Sequence, residues 1–414
     1  MSKVLGIIAE YNPFHNGHLY HLQKAKEITN SDYTVAIISG NFTQRGSTSL
    51  IDKWSKTEMA LLNGVDLVIE LPVWYATSSA ENFADGAIKI LNSLGIVDYI
   101  SFGTETPDIN ILNRYSDILY NEPEEYKKLL SNELKNGLSF PKAREKAIFE
   151  YLKESNINFN ISSNVLASPN NILGIEYLKA LKKHHSTIKP IPIARLDADY
   201  NSTSFSNNIA SATAIRNLIK NNNFETIKNL VPNYSYSILK NNIDKGHIVT
   251  DLDVFEKEII YILRRLSIED IANLPDVSEG LEFAIKKAAN SCNSVTDLLD
   301  SIKSKRYTIT RLQRILLYSL LGISKENLKA SKDVIPYLRV LGFNSNGSKL
   351  ISKIHEVSPN VPIITQVKQY LDNSTNIVLR DMLYSDIFAT NVYTLGFENE
   401  SFSNLDFTHK IIKI

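Results

Sequence analysis

The chain has 414 residues, which corresponds to about two to three domains. Hydrophobic residues make up 43% and charged residues 22%, and these fractions exclude a disordered chain, a collagen-like chain and a coiled-coil rod. The net charge is zero, so the overall balance does not indicate a partner. Cys292 is the single cysteine, which excludes an intrachain disulfide and a cysteine-based metal cluster.

Two further features concern the location of the protein. No stretch contains the roughly 18 consecutive apolar residues that a membrane-spanning helix needs. The first apolar run, Val4–Ala9, is too short for the core of a signal peptide. A single cysteine fits a reducing compartment. We therefore predict a cytoplasmic protein with neither a membrane anchor nor a disulfide-linked partner.

The first half alternates short apolar runs with helix-length stretches. The apolar runs are rich in β-branched residues and predict buried strands at Val4–Ala9, Thr34–Ser39, Asp66–Leu71, Val97–Phe102 and Ile188–Leu196. The stretches between the first four runs predict helices at His18–Thr29, Lys53–Asn63 and Glu81–Leu94. This alternation predicts a parallel sheet with helical crossovers. Two prolines, Pro190 and Pro192, indicate either that the fifth strand lies at an edge or that they mark the start of a strand.

Helical patterns dominate the rest of the chain. Leu112–Glu154 is predicted to be helical and to cover the sheet or form an insertion. Strand-like runs disappear after Thr226, and Val334–Ile414 mixes helical and extended patterns. The fold class is therefore α/β: a Rossmann-like parallel-sheet domain over residues 1–225, followed by a mostly helical, basic domain over residues 226–414.

One segment of the second half is strongly basic. Between Lys286 and Lys349 there are twelve Lys or Arg and four Asp or Glu, a net charge of +8. Such a segment predicts a nucleic-acid surface, although a solvated Lys-rich helix face would have the same composition. The candidate RNA-binding residues are Lys305, Arg306, Tyr307, Arg311 and Arg314. Gly342–Lys349 superficially resembles a P-loop, but its order is Ser-Lys and we predict no strand before it.

The most informative motif, His15-Asn16-Gly17-His18, follows the first strand and begins a helix. Amide groups at a helix N-terminus attract anions, and Gly17 leaves room for a ligand to approach. Two histidines three residues apart share a helix face and can donate hydrogen bonds to a triphosphate. Two alternatives remain: His15, His18 and His21 as metal ligands, or histidines that only cap the helix.

Several segments resemble one family in the same order along nearly the whole chain. The histidine motif resembles the (H/T)xGH signature of the nucleotidyltransferase superfamily. The wider matches resemble the bacterial tRNA(Met) cytidine acetate ligase family, and they are Glu10–His18, Ser39–Gly46, Asp66–Pro72, Ser168–Gly174 and Ala210–Arg216.

The resemblance implies a ligase reaction in two steps. Acetate attacks the α-phosphate of ATP to give acetyl-adenylate and pyrophosphate, and the acetyl group then passes to N4 of the wobble cytidine of elongator tRNA(Met). The implied ATP contacts are Ile7, Ile8, Ala9, Glu10, Tyr11, Asn12, Pro13, Phe14, His15, Asn16, Gly17, His18, Leu19, Tyr20, Gly103, Asn170 and Arg195. Catalysis is then mostly positioning and charge stabilisation, with Mg²⁺ expected on the phosphates.

The segment around Ser211 resembles a second superfamily motif, ISSTxIR, with Ala212 where the usual second serine stands. Ser211, Thr213 and Arg216 remain as expected phosphate ligands, and Ser211 or Thr213 can equally act as a helix N-cap. We assign catalytic roles to His15, His18, Arg45 and Arg216.

For Asn170, Arg195, Lys53 and Lys56 the pattern leaves structural alternatives open. Asn170 can simply begin a helix, and Arg195 can pair with a nearby aspartate. Arg45 lies between two glycines, which predicts a bent, mobile loop. Lys53 and Lys56 are further possible cations, but a solvated helix face is the favoured interpretation for both.

Two other functions compete with the ligase. A nucleotidyltransferase for a small phosphorylated metabolite explains the histidine motif but not the basic helical segment. A noncatalytic RNA-binding protein explains the basic segment but not the complete set of His15, Gly17, His18 and Arg216.

Overall fold

The protein is represented by a computed structural model that describes residues 2–154, 165–196, 209–304 and 306–414. Its strands are β1 (Val4–Ala9), β2 (Tyr33–Ser39), β3 (Leu67–Leu71), β4 (Tyr99–Thr104), β5 (Lys189–Ala194), β6 (Leu338–Phe343), β7 (Ile363–Ile364) and β8 (Ile412–Lys413).

The helices of the described residues fall in two groups. Those before residue 225 are α1 (Asn16–Thr29), α2 (Lys53–Leu62), α3 (Val73–Ala76), α4 (Ala80–Ser93), α5 (Ile109–Asn121), α6 (Glu124–Lys135), α7 (Phe140–Glu154), α8 (Pro169–Lys183) and α9 (Ala212–Lys220). Those after it are α10 (Asn233–Asp244), α11 (Glu256–Arg265), α12 (Ile268–Ala272), α13 (Leu281–Ser291), α14 (Val295–Ile302), α15 (Ile309–Leu321), α16 (Lys325–Lys332), α17 (Ser345–Val357), α18 (Val367–Asn373), α19 (Ile377–Tyr393) and α20 (Leu405–Thr408).

One sheet of eight strands runs through the molecule in the order β5-β4-β1-β2-β3-β6-β7, with β8 also paired to β6. Its first five strands are parallel, and β6 pairs antiparallel with β3. The chain moves from β1 through β2 to β3 on one side and then returns to β4 on the other side of β1. This reversal places a crevice beside the carboxyl ends of β1 and β4, where open α/β sheets bind ligands.

The two faces of the sheet have separate cores because successive side chains in a strand point in opposite directions. On one face, Val35 and Ile37 of β2 pack in the larger core with helices from both halves of the chain. On the other, Ala36 and Ile38 pack with α1, α2 and α9. No helix among the described residues is both long and apolar enough to cross a membrane.

The α/β fold class is confirmed, and the predicted elements of the first half lie within two residues of the observed ones. Local signals explain this agreement. Asp52 and Ser79 accept backbone N–H groups as N-caps of α2 and α4. Gly95 adopts a positive φ of 67° just beyond α4, where a side chain would be strained. The proline-containing strand β5 does lie at an edge.

The C-terminal segment contributes more to the sheet than the sequence indicated, because β6, β7 and β8 all belong to it. The division of the chain near residue 225 stays a prediction. The expectation that no strand precedes Gly342–Lys349 was wrong, since β6 ends at Phe343 directly before α17. This segment still leaves no room for a phosphate loop: a Cβ on Gly347 would lie 2.1 Å from the carbonyl oxygen of Asp66.

Candidate active site

The crevice between β1 and β4 opens into two adjoining cavities of about 230 and 510 Å³. Both are lined by residues at the ends of β1, β4 and β5 and in the loop after β2, and the shared residues are Glu10, His15, His18, Arg45, Asn170, Arg195, Leu196 and Ser211. The smaller cavity adds the apolar side chains of Phe83, Phe102, Leu173, Tyr177 and Ile193. The larger one adds the polar residues Thr213 and Arg216. The arrangement therefore combines an apolar wall with a polar, cationic mouth.

The two motif histidines form a stacked pair at the start of α1. Nδ1 of His15 accepts the Gly17 N–H at 3.0 Å, and Nδ1 of His18 accepts the His15 N–H at 3.2 Å. The ring centroids are 3.8 Å apart. Because each Nδ1 is an acceptor, the neutral rings carry their proton on Nε2. Each histidine can therefore donate an Nε2–H hydrogen bond to a ligand in the cavity.

Burial keeps these histidines neutral. Burial is the main reason why the pKa of His15 is lowered to about 3, and the nearby positive charges of Arg195 and Arg216 contribute to the same shift. Burial is also the main reason why the pKa of His18 lies well below its usual value, with His15, His21 and Arg195 adding to the effect. At pH 7 the pair therefore offers hydrogen bonds without charge, and the guanidinium groups supply the positive charge.

The structure shows a second reason for a glycine at position 17, beside the predicted room for a ligand. A Cβ at this position would lie 2.9 Å from Cε1 of His15. The absent side chain therefore makes room for the imidazole that caps α1, and a ligand is not needed to explain the glycine.

The arginines reach the cavity from separate elements. On α9, Nη1 of Arg216 donates to the Asn12 carbonyl at 2.8 Å and Nη2 donates to Oγ1 of Thr213 at 3.0 Å. Arg195 follows β5, and Arg45 follows β2. The predicted alternative partners of Arg195 at residues 197 and 199 lie outside the described residues. The three arginines are thus brought to the rim of one cavity.

The second motif begins α9 as predicted. Ser211 is the N-cap, and its Oγ accepts the Ala214 N–H at 3.2 Å. Ala212 and Thr213 line the larger cavity beside it. The hydroxyl that Ala212 lacks is therefore missing from the cavity wall itself.

Asn170 and Arg195 are joined by a carboxylate that the sequence reasoning did not single out. Oε1 of Glu105 accepts from Nδ2 of Asn170 at 2.5 Å and lies 3.8 Å from Nε of Arg195. Asn170 also lies in the first turn of α8, which is its predicted structural role, and its contact with a ligand stays a prediction. The position of Glu105 directly after β4 was the signal for it, since polar residues at strand ends face the crevice.

The implied ATP segment divides between lining and supporting residues. The lining residues are Ile7, Ile8, Ala9, Glu10, Tyr11, Asn12, His15, Gly17, His18, Tyr20 and Gly103. Pro13, Phe14, Asn16 and Leu19 do not line either cavity. Phe14 is in the core, and Nδ2 of Asn16 donates to the Asn229 carbonyl at 2.8 Å. These four positions support the turn instead of touching the cavity. Sequence reasoning gave no site role to Phe83 and Tyr177, which lie outside the matched segments, or to Gln44 and Leu173, which lie inside them.

Lys53 and Lys56 are not on a solvated helix face, so that interpretation was wrong. Both are 0% exposed. Nζ of Lys53 lies 2.7 Å from Oδ1 of Asp406 and 3.0 Å from the carboxylate of Glu70. Nζ of Lys56 donates to the carbonyls of Ser39 and Gly40 at 2.7 and 2.6 Å, which binds α2 to the end of β2. Sequence pattern alone could not show that the polar face of α2 meets buried acceptors.

The loop that carries Arg45 is packed against α15. Gly46 has φ of 72°, and a Cβ there would lie 2.4 Å from the backbone nitrogen of Arg314. Oγ1 of Thr43 and Oγ of Ser47 are 2.8 Å apart and close the loop. The predicted bend is present at Gly46, and the C-terminal half of the chain supports it.

The predicted RNA residues have different environments. Arg314 pairs with Asp276 at 2.7 Å, and Arg311 donates to the Asp276 carbonyl at 2.6 Å while lying 4.8 Å from the Tyr307 ring. Arg306 has a side chain that is 75% exposed. Lys305 lies outside the described residues. Arg311 and Arg314 thus have close protein partners, whereas Arg306 is mostly exposed and its Nη1 lies 3.9 Å from the exposed carboxylate of Glu279.

The metal alternative for the histidines receives no support from the geometry. Nδ1 of His15 and Nδ1 of His18 accept backbone N–H groups, and Nε2 of His21 lies 2.9 Å from Oγ of Ser101. Within the ranges that the structure describes, no group of three or more His, Cys, Asp or Glu is arranged to hold a metal ion.

Comparison with known proteins agrees with this geometry. The sequence matches the HIGH Nucleotidyl Transferase family over residues 2–406. It is 47% identical to the tRNA(Met) cytidine acetate ligase of Thermoanaerobacter sp. (strain X514), over 99% of this chain and 100% of that protein. It is 43% identical to the ligase of the same name from Acetivibrio thermocellus, over 99% of each chain.

A solved structure extends the comparison to the fold. The crystal structure of Thermotoga maritima TmcAL bound with alpha-thio ATP superposes with a TM-score of 0.91 at 36% identity, covering 100% of this chain and 99% of that one. The apo form of the same protein gives a TM-score of 0.93. The chain therefore belongs to the HIGH Nucleotidyl Transferase family and, within it, to the tRNA(Met) cytidine acetate ligases.

Proposed function

We propose that the protein activates acetate with ATP and transfers the acetyl group to N4 of the wobble cytidine of elongator tRNA(Met). In the first step an acetate oxygen attacks the α-phosphorus, the bond to the β-phosphate oxygen breaks, and pyrophosphate leaves. In the second step N4 attacks the acetyl carbon, the bond to the adenylate oxygen breaks, AMP leaves, and N4 loses one proton.

The observation that carries the first step is the arrangement of donors around the cavity mouth. Two Nε2–H groups from His15 and His18 lie on the rim that Arg45, Arg195 and Arg216 also line. Donors fixed before the reaction stabilise negative charge as it develops on the leaving pyrophosphate. Acetate is already ionised at neutral pH, so activating it requires no general base.

The cationic groups divide between fixed and exposed positions. Arg216 is fixed by Asn12 and Thr213, which favours a structural hold on a phosphate. Arg45 is exposed on its loop, so it is the group best able to follow acetate or the leaving phosphates. These roles follow from reach and charge.

We place the tRNA beside α15. The Gly46 loop packs on this helix, and the same loop carries Arg45 into the cavity. Arg306 and Tyr307 lie just before α15 and offer a cation and an aromatic ring to an anticodon loop. A wobble base must leave its stack to reach the adenylate, so an RNA surface next to the mouth is required.

Magnesium is proposed to enter with the nucleotide. The carboxylates that line the larger cavity, Glu10 and Glu105, already accept hydrogen bonds from Gln44 and Asn170. They fit a Mg²⁺ ion that is held mainly by phosphates and water, as is usual for nucleotide-bound magnesium. The ion would supply charge neutralisation to the triphosphate.

The test is acetate-dependent exchange of labelled pyrophosphate into ATP by the purified protein with Mg²⁺, followed by transfer of labelled acetate to tRNA. Exchange that needs acetate, and label in N4-acetylcytidine at the wobble position of elongator tRNA(Met), is the expected result. Exchange stimulated by a phosphorylated metabolite instead of acetate would replace this proposal with the metabolite transferase. ATP binding without any exchange would favour a noncatalytic RNA-binding protein.

A further inference from the structure

A single carboxylate connects three elements at the cavity rim. Glu105 lies in the loop after β4, its Oε1 contacts Asn170 on α8 and lies near Arg195 at the end of β5, and its Oε2 accepts the Asn171 N–H at 3.2 Å. Asn170 and Arg195 are both ATP contacts that the resemblance implies. Glu105 is therefore positioned to control both.

The backbone around Glu105 is fixed by hydrogen bonds to the side chain of Asn171. Oδ1 of the buried Asn171 accepts the N–H groups of Glu105 and Thr106, both at 3.0 Å. Nδ2 of Asn171 donates to the Val165 carbonyl at 3.0 Å. The loop backbone is thus tied to the start of α8, and the carboxylate does not have the freedom of an ordinary surface acid.

The carboxylate determines which way the Asn170 amide faces. An ionised carboxylate only accepts hydrogen bonds, so the group it contacts at 2.5 Å must be the amide nitrogen of Asn170. Oδ1 of Asn170 then points away from Glu105, and none of the hydrogen bonds among the described residues uses it. Because Asn170 lines both cavities, this oxygen is available as an acceptor for a ligand.

Arg195 is oriented by the same carboxylate. Its Nε side lies toward Glu105, and its side chain passes over Gly103, where a Cβ would be 3.4 Å from Cγ of Arg195. Arg195 lines both cavities together with His15 and His18. The guanidinium is therefore placed between the carboxylate and the rim where the phosphates are expected.

We propose that Glu105 is a positioning residue for the nucleotide. It fixes the Asn170 amide so that Oδ1 accepts a hydrogen bond from an O–H or N–H donor of the nucleoside, and it holds Arg195 beside the triphosphate. This role rests on the proposed use of ATP as a substrate. The donor is either a ribose hydroxyl or the 6-amino group of adenine, since these are the donors that adenosine offers.

Glu105→Gln tests whether the orientation of the Asn170 amide matters, because this variant preserves the shape of the side chain at position 105. The glutamine has the same shape, but its own amide nitrogen can donate to Oδ1 of Asn170, so the asparagine amide can turn to either orientation. Glu105→Ala removes the contact altogether. Glu124→Ala, which removes an exposed glutamate of α6, is the matched control.

The experiment measures KM and kcat in acetate-dependent pyrophosphate exchange with ATP, 2′-deoxy-ATP, 3′-deoxy-ATP and inosine triphosphate. We expect the wild-type protein to prefer ATP by about tenfold or more over the analogue that lacks the donor to Asn170. Both Glu105 variants should reduce this preference to about threefold or less and raise the KM for ATP with little change in kcat. The deoxy analogues identify a ribose donor, and inosine triphosphate identifies the amine.

A double-mutant cycle tests whether Glu105 acts through Asn170. Glu105→Ala in an Asn170→Ala background should cause no further loss of nucleotide preference. The proposal is overturned if both Glu105 variants keep the full preference, if the two losses multiply, or if the wild-type protein prefers ATP to none of the analogues. Measuring the equilibrium binding of the same nucleotides without acetate gives the nucleotide preference independently of the exchange reaction. A preference in binding without any exchange would reject the proposed function and retain the role of Glu105.

Discussion

The carboxyl ends of β1, β4 and β5 open into the cavities proposed above to bind the nucleotide, whereas β3 ends in a closed cluster of charged side chains at the same edge of the sheet. We call this second group the sealed charge cluster, and it consists of Lys53, Glu70, Arg339, Asp386 and Asp406. Arg339 joins it because β6 is antiparallel, which brings the start of β6 to the end of β3.

The two groups use similar residue types with opposite results. The cavity between Gly40, Glu70 and Asp386 has a volume of only about 10 Å³, against about 230 Å³ for the smaller nucleotide cavity. Burial by itself lowers the pKa of Lys53, but the carboxylates of Asp406 and Glu70 outweigh it, so the pKa of Lys53 is raised. In the nucleotide cavity burial is the main cause that lowers the pKa of His15 to about 3, and the charges of Arg195 and Arg216 act in the same direction.

The difference shows what distinguishes a site from a structural cluster at the same sheet edge. In the sealed charge cluster, charges of the protein compensate one another, so nothing is left for a ligand. In the nucleotide site, three arginines and two neutral histidine donors face two carboxylates, Glu10 and Glu105, so positive charge remains for an anionic ligand. Substitutions in the two regions should therefore separate stability from activity.

The largest effect is expected from breaking the sealed charge cluster. Lys53→Met keeps the length of the side chain but leaves Glu70 and Asp406 without their cation, and it should lower the free energy of unfolding by about 3–5 kcal/mol. Urea denaturation measures this change. Lys127→Met, which breaks the exposed pair with Glu124, should cost about 0–1 kcal/mol and serves as the control. Equal losses in the two variants would show that the cluster is not stabilised by its charges.

The next effect concerns the nucleotide site. His18→Asn keeps an oxygen that can accept the His15 N–H but removes the Nε2–H donor. It should reduce the rate of pyrophosphate exchange by about 10²–10³, or about 3–4 kcal/mol, with little change in stability or tRNA affinity. The rate and the urea midpoint are measured on the same preparation. If the variant is stable and exchanges pyrophosphate at the wild-type rate, His18 has no catalytic role.

A smaller effect is expected in the pH dependence of stability. The pKa of His15 is about 3 in the folded protein and about 6.5 when unfolded, so below pH 6.5 the unfolded state binds more protons. The stability contribution is complete above pH 6.5 and falls as the pH decreases towards 3, by about 2 kcal/mol at pH 5. His15→Asn retains an N-cap oxygen and removes this titration.

The measurement for this prediction is the difference in unfolding free energy between pH 7.5 and pH 5 for the wild type and His15→Asn. The wild type should lose about 2 kcal/mol more than the variant. Identical pH profiles would contradict the lowered pKa. Saturating ATP should reduce the wild-type loss, because the anionic triphosphate favours the protonated imidazole.

The smallest effect is expected at the proposed RNA surface. Arg306→Glu reverses an exposed charge and should weaken tRNA binding by about threefold to tenfold at 0.1 M salt, with a shallower salt dependence. Filter binding at several salt concentrations measures both quantities. Lys127→Glu on α6 is the control for a charge reversal away from α15. An unchanged tRNA affinity of Arg306→Glu would show that the RNA surface does not lie at the start of α15.

Local sequence patterns predicted much of the fold and part of the candidate site. The strands and helices of the first half follow from apolar periodicity and from caps such as Asp52 and Ser79, which act within a few residues. The histidine motif follows from its place after β1. The partners of Lys53 could not be predicted, because Asp406 lies 353 residues further along the chain.

The sequence by itself determined the α/β class, the helix that begins at the histidine motif and the family to which the chain belongs, since these depend on local order and on matching segments. Only the tertiary structure decided which charged residues bind one another and which face a cavity. Arg311 and Arg314 look identical to Arg306 in a basic segment, yet Asp276 engages the first two and leaves the third exposed. Burial and pairing are properties of contacts between distant segments, and no one-dimensional pattern contains them.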